Sequence, residues 1–84
     1  MTTPSDLAQR LLELSVEQLS VSPAQLVRDA SLVRDLGLDS LAAIEWGMAI
    51  EDALGLSLPE DAMDRVQTYG DVQELVDRLA RAQA

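Results

Sequence analysis

The chain has 84 residues, of which 15 are acidic and 6 are basic, and its net charge is −9. It contains no Cys and no His, and all six cations are Arg. Disulfides, cysteine-ligated metals, histidine general bases and lysine Schiff bases are therefore excluded. The length predicts a single domain over residues 1–84.

The excess of acidic residues argues against nucleic acid as a partner, because binding a polyanion requires Lys and Arg. No segment approaches the ~20 apolar residues that a membrane span needs, and the N-terminus lacks a basic region followed by an apolar run. The apolar content of 48% is too high for a disordered acidic tail. We expect a cytoplasmic monomer without a membrane partner.

The first predicted helix covers about residues 4–19, where apolar residues recur at three- and four-residue spacing. Thr3 is its predicted cap, and Pro4 suits the first turn because its missing N–H is harmless there. The sequence SPAQ at residues 22–25 has a capping-box pattern with proline just inside the start. It predicts one short turn of helix that continues through residues 26–27.

A loop from about 20 to 39 surrounds that turn and is long for so small a domain, so it is expected to be partly ordered or functional. Gly37 permits a backbone turn near its end. Its predicted apolar anchors are Val21, Leu26, Val27, Leu32 and Leu36. A second strong helix is predicted over about residues 40–54, with Asp39 as its N-cap and Gly55 as its C-terminal stop.

The rest of the chain predicts two more helices. Pro59 is expected to start a short helix over roughly 60–66, and a longer one runs from about 69 to 82. The apolar stripe of this last helix consists of Val72, Leu75, Val76 and Leu79. No alternating strand pattern of useful length is present. The sequence therefore predicts an all-α fold, a small four-helix bundle of three longer helices and one short one.

Helix 40–54 has two apolar faces when its residues are placed about 100° apart. The longer face is predicted to point to the core and carries Ala43, Trp46, Gly47, Ile50 and Leu54. The opposite face carries Leu41, Ile44 and Met48, and the carboxylates near it are Glu45, Glu51 and Asp52. An exposed apolar patch beside charge indicates a docking surface. The alternative is that the long loop covers this face; for Leu41, nearest the loop, the two outcomes are equally favoured.

The sequence LGLDSL at residues 36–41 places Ser40 where the long loop ends and this helix begins. A nucleophilic serine needs a neighbouring base, and the chain has neither His nor Lys. The surrounding residues are not the GxSxG elbow of serine hydrolases. For an arbitrary serine at such a position, a structural role at the helix start would be the ordinary interpretation.

This stretch resembles the modification motif of acyl carrier proteins, in which the serine of a DSL triplet receives a 4′-phosphopantetheine arm. The similarity continues without gaps. Residues 39–62 (DSLAAIEWGMAIEDALGLSLPEDA) resemble the second helix, the following loop and the third helix of that family. Residues 31–36 (SLVRDL) resemble the approach to the motif, and residues 68–72 (TYGDV) resemble the start of the last helix.

The resemblance implies a carrier and not an enzyme. A separate phosphopantetheinyl transferase would use Mg²⁺ and coenzyme A to attach the arm to Ser40 Oγ, and the terminal thiol of the arm would then hold an acyl group as a thioester. Asp39 would cap the helix and help the transferase recognise the site, with Leu41 beside it. Basic surfaces of the transferase, of a loading acyltransferase or ligase, and of a ketosynthase or other pathway enzyme would dock on Asp35, Leu41, Ile44, Glu45, Met48, Glu51 and Asp52.

The kind of carrier follows from where the sequence departs from better-known members. Peptidyl carriers tend to have glycines before the serine, as in GGHS or GGDS, whereas residues 38–39 are Leu-Asp here. Residues 42–43 (AA) and 46–47 (WG) are atypical of bacterial fatty-acid carriers. We therefore expect a discrete carrier for polyketide or other secondary-metabolite synthesis, such as an antibiotic pathway, and the initiating Met and the short length favour a free-standing protein.

Two alternatives to this function stay open. One is a carrier for an aminoacyl starter or a peptidyl unit, and the other is an unmodified acidic helical adaptor. Gly47 also has two interpretations, because a glycine inside a helix is costly. Either the indole of Trp46 takes the space that a side chain at 47 would use, or the missing volume leaves a small cleft for a particular acyl group.

Overall fold

The computed structural model describes residues 4–83, which form four α-helices and no strand. The helices are α1 (Pro4–Leu19), α2 (Ser40–Leu54), α3 (Ala62–Arg65) and α4 (Tyr69–Ala82). The predicted all-α bundle of three longer helices and one short one is confirmed, as is the long connection between α1 and α2. Within the described residues, no helix is long and apolar enough to cross a membrane.

The helix ends follow local hydrogen-bonding rules. Asp39 is the N-cap of α2, and its carboxylate accepts from the Ala42 N–H at 2.8 Å. Gly55 ends α2 in the left-handed conformation with φ 65°, as predicted. Pro4 begins α1 as predicted, whereas the predicted cap Thr3 lies outside the described residues.

A reciprocal capping box opens α4, and the sequence analysis did not identify it. Thr68 Oγ1 accepts from the Asp71 N–H at 3.2 Å, and Asp71 Oδ2 accepts from the Thr68 N–H at 3.1 Å. The Gln67 N–H also donates to Asp71 Oδ2 at 3.0 Å. These backbone donors, Gln67 first, hold the pKa of the Asp71 carboxyl below its ordinary value.

Both short helical elements are shorter than predicted. The turn after Ser22 is a 3₁₀ segment, Pro23–Gln25, and it ends at Leu26, whose N–H donates to Pro23 O. The short helix predicted over 60–66 is a single turn, Ala62–Arg65. In both places backbone N–H groups donate to the carbonyl oxygen three residues earlier in the chain. This 3₁₀ hydrogen-bond pattern does not continue as an α-helix.

The core is built from all three long helices and from the long loop. Its buried residues include Leu7, Leu11, Leu26, Ala30, Leu32, Leu36, Trp46, Ile50, Tyr69, Val72 and Val76. Of the predicted loop anchors, Leu26, Leu32 and Leu36 are buried and Val21 is partly buried. Val27 was predicted wrongly, because it is 57% exposed. It precedes a turn closed by the Ala30 N–H on Val27 O, and Ala30 takes the core position instead.

The long loop is tied to the start of α4 through its backbone. Leu32 N–H donates to Gln67 O, and the Tyr69 N–H donates to Ala30 O, both at 3.0 Å. Gly70 N–H donates to Arg28 O at 3.0 Å, and a Cβ at Gly70 would lie only 2.9 Å from that oxygen. This close approach requires glycine. The loop is therefore ordered up to the point where it leads into α2.

A buried polar cluster joins α1, α2 and α4. Trp46 Nε1 donates to Ser15 Oγ at 3.0 Å, and Ser15 Oγ donates to Leu11 O at 2.6 Å. The Trp46 and Tyr69 rings stack, with centroids 6.5 Å apart. The Tyr69 hydroxyl is buried without a hydrogen-bond partner among the described residues. Burial raises the pKa of this hydroxyl.

This cluster predicts opposite results for removing its two hydroxyl groups. Ser15→Ala should lower the free energy of unfolding by about 1–3 kcal/mol, because the buried Trp46 N–H loses its acceptor. Tyr69→Phe should leave that free energy unchanged or raise it, because the hydroxyl it removes has no partner. Urea unfolding of the two variants measures both effects. A loss for Tyr69→Phe as large as that for Ser15→Ala would contradict this assignment of partners.

Candidate functional site

Ser40 is the first residue of α2, and it is exposed. The residues before it explain this position. Gly37 adopts a left-handed φ of 70°, which turns the chain, and Asp39 then caps the helix in extended conformation. The serine hydroxyl is consequently presented to solvent at the positive end of the α2 dipole, where an attached phosphate is favoured.

The surroundings of Ser40 give it no catalytic partner. The sequence has no His, Lys or Cys, and the adjacent carboxylate of Asp39 is engaged with the Ala42 N–H. Within residues 4–83, no group of three or more acidic side chains is arranged to hold a metal ion. Among the described residues, no side chain is therefore placed to activate this hydroxyl as a nucleophile.

The second apolar face of α2 is open to solvent along its length. Leu41 is 65% exposed, Ile44 60% and Met48 59%. The long loop therefore does not cover this face, even at Leu41, where exposure and burial were equally favoured. Glu45 and Asp52 are exposed as well. The structure brings these side chains together on one side of α2, as the helical spacing predicted.

Two other carboxylates of the predicted docking set have partners inside the chain. Glu51 is partly buried, and its Oε2 accepts from the Leu58 N–H at 3.0 Å. Asp35 is exposed in the loop, where its Oδ2 accepts from the Ser31 N–H at 2.7 Å. Each of these two carboxylates therefore stabilises a loop of this chain, in addition to its predicted role in docking.

A groove of about 570 Å³ runs from Ser40 along α2 and is closed on its other side by α3 and the segment before it. Its α2 side is lined by Ser40, Ala43, Ile44, Gly47, Met48 and Glu51. Its other side is lined by Leu58, Pro59, Glu60, Asp61, Met63 and Asp64. The sequence pattern did not predict this second wall. The available signal was Gly47, because a helix position without a side chain leaves room for a neighbouring element.

Gly47 is buried where α3 approaches α2 most closely. A Cβ built there would lie 3.1 Å from Met63 Cγ and 3.6 Å from Leu58 Cδ1. Of the two interpretations of Gly47, the one in which the Trp46 indole takes this space is wrong; Gly47 does line the groove, as a cleft there would require, but what the groove holds stays a prediction. The indole points to α1, where it bonds to Ser15, and the filling atoms beside Gly47 belong to Met63 and Leu58.

The chain is similar to one known family over most of its length. A family model described as the phosphopantetheine attachment site matches residues 3–79. The match includes Ser40, both sides of the groove and most of α4.

The contact between Gly47 and Met63 predicts a coupled effect on stability. Gly47→Ala should destabilise the protein, because the added methyl presses on Met63 Cγ. In the background of Met63→Ala the same change should instead stabilise it by about 0.5–1 kcal/mol, the usual gain of alanine over glycine inside a helix. Unfolding free energies of the two single variants and the double variant complete the cycle. Equal effects of Gly47→Ala in both backgrounds would show that Met63 does not limit this position.

Proposed function

The chain belongs to the phosphopantetheine-attachment family, and from this premise we propose that Ser40 is the residue that carries the arm. Domains of this family are carriers and not enzymes, and their cofactor is a covalently attached 4′-phosphopantetheine. The observation that carries the proposal is the exposed position of Ser40 at the first residue of α2, directly after its aspartate cap. The arm supplies a terminal thiol that holds an acyl group as a thioester.

The roles of the neighbouring residues follow from their positions. Asp39 holds the first turn of α2 through the Ala42 N–H, so that Ser40 is presented in a fixed orientation to a phosphopantetheinyl transferase. Leu41 lies beside it with most of its side chain exposed, available for contact with the same enzyme. The groove along α2 offers apolar side chains on which a bound acyl group can rest.

Partners dock on the exposed face of α2. Ile44 and Met48 provide apolar contact area, and Glu45 and Asp52 provide negative charge next to it. Because the whole chain has a charge of −9, basic surfaces on the transferase, on a loading acyltransferase or ligase and on a ketosynthase are attracted to it from a distance. Asp35 extends the same acidic field into the loop that precedes Ser40.

The pathway is a finer proposal. We favour a discrete carrier for polyketide or related secondary-metabolite synthesis, in which residues 1–84 act as a single carrier domain. The support is the Leu-Asp pair before Ser40 and the unusual Trp46 and Gly47 in α2. An aminoacyl or peptidyl cargo is the alternative, and the enzyme that loads the holo protein distinguishes the two.

The attachment site predicts a single modification. Incubation with a promiscuous phosphopantetheinyl transferase, Mg²⁺ and coenzyme A should add one arm to the chain, and Ser40→Ala should abolish the addition completely. Intact-protein mass spectrometry measures the result. Ser57→Ala is the matched control, because Ser57 is also an exposed serine near the groove and should leave the modification unchanged. An unmodified wild-type chain would favour the acidic adaptor, and modification of Ser40→Ala would move the site elsewhere.

The docking face predicts a loss of association that depends on charge and on apolar contact. Glu45→Arg and Met48→Asp should each slow modification or loading, on the order of tenfold for the charge reversal at low salt, and added salt should reduce the effect of Glu45→Arg. Rates measured at two ionic strengths, with circular dichroism to confirm helicity, test this. Glu17→Arg is the control, because it makes the same change in net charge at an exposed position on α1. Native rates for both α2 variants would show that partners use another face.

A further inference from the structure

Gln83, the residue that follows α4, is paired through its side-chain amide with the backbone of Ser57. Gln83 Nε2 donates to Ser57 O at 2.8 Å, and the Ser57 N–H donates to Gln83 Oε1 at 2.9 Å. The side chain thus satisfies both backbone groups of one residue, as a neighbouring strand would. Its own backbone is held in place, because the Gln83 N–H donates to Leu79 O at 2.9 Å. Gln83 lies beyond residue 79, where the family match ends.

Ser57 lies in the segment that connects α2 to α3, and its neighbours are held by α2. The Leu56 N–H donates to Glu51 O at 3.2 Å, and the Leu58 N–H donates to Glu51 Oε2 at 3.0 Å. Ser57 lies between these two attachments to α2, and its backbone bonds to the side chain of Gln83, directly after α4. The segment 56–58 is therefore fixed from two sides.

The same segment contributes Leu58 to the wall of the groove beside Glu51, the groove residue of α2 that is furthest from Ser40 in the chain. Glu51 is 11 residues after Ser40 in the chain, which places it about 16 Å further along the axis at the usual helical rise. Leu58, bonded to Glu51, lines the groove there and approaches the Gly47 Cβ position to 3.6 Å. We expect a displacement of Leu58 to widen the groove beside Gly47 and Glu51, which are 7 and 11 residues after Ser40.

We propose that Gln83 is a positioning residue for this groove: by holding Ser57 it keeps the wall at Leu58 in place, and so limits the length of acyl chain that the groove accepts. This inference rests on the proposed attachment of an acyl-bearing arm at Ser40. Gln83 follows α4 and lies outside the matched family region. The proposal therefore gives a residue after α4 control over the chain-length specificity of a groove lined by α2 and α3.

The hydrogen bonds are tested without cargo. In Gln83→Ala, the amide of Ser57 should exchange with solvent about tenfold faster, because two exposed hydrogen bonds are lost and the segment opens more often. Gln83→Glu keeps an acceptor for the Ser57 N–H but cannot donate to Ser57 O, so an intermediate rate is expected. Gln9→Ala is the control, since Gln9 is an exposed glutamine on α1 whose side-chain amide donates to nearby Glu13. Unchanged exchange in Gln83→Ala would overturn the proposal at its first step.

Control over chain length is tested on the holo protein. Wild type, Gln83→Ala and Gln9→Ala are loaded with a butanoyl or a dodecanoyl group, and the thioesters are cleaved with hydroxylamine. Release of the wall at Leu58 should slow cleavage of the dodecanoyl form of Gln83→Ala several-fold, because more of the long chain enters the groove, and leave the butanoyl form unchanged. An equal change for both chain lengths, or no change, would overturn the specificity role. Failure of the transferase to add the arm to wild type would instead overturn the proposed function, while the exchange rates still report on the Gln83 contact.

Discussion

The burial of Trp46 determines how α2 is oriented, and the function proposed for this chain depends on that orientation. The Trp46 side chain is completely buried, bonded to Ser15 in α1 and stacked on Tyr69 in α4. These contacts with α1 and α4 fix the rotation of α2 about its own axis. Ile44 and Met48 lie on the side of α2 opposite Trp46. The rotation that buries Trp46 therefore leaves them exposed to solvent.

A hydrogen bond to Ser15 explains why the polar N–H of Trp46 is tolerated in the core. An indole N–H without an acceptor would destabilise the interior, and the Ser15 hydroxyl supplies that acceptor at 3.0 Å. Ser15 in turn donates to Leu11 O, so its own proton is also used. Polar groups on α1 thus specify where α2 packs, in addition to the area buried between the two helices.

The presentation of Ser40 requires a second constraint, namely the order of the long loop. A loop of this length would ordinarily be mobile, but its middle is paired with the backbone around Gln67 and Tyr69, and its leucines enter the core. The chain therefore reaches Asp39 from a fixed direction. The ordered loop and the capped first turn together hold Ser40, the proposed attachment site, at a defined place.

The sequence by itself determined the four helices, the Asp39 cap, the Gly55 stop and the two faces of α2, because these depend on neighbours within a few residues. The LGLDSL stretch, together with the similar segments 31–36, 39–62 and 68–72, also identified the family to which the chain belongs. Contacts between distant segments had no local signal. The filling of the space beside Gly47 by Met63, the pairing of the long loop with the backbone around Gln67 and Tyr69, and the bond from Gln83 to Ser57 were decided only by the tertiary structure. The physical reason is that each of them depends on which backbone groups and volumes a remote part of the chain brings alongside, and periodicity carries no information about that.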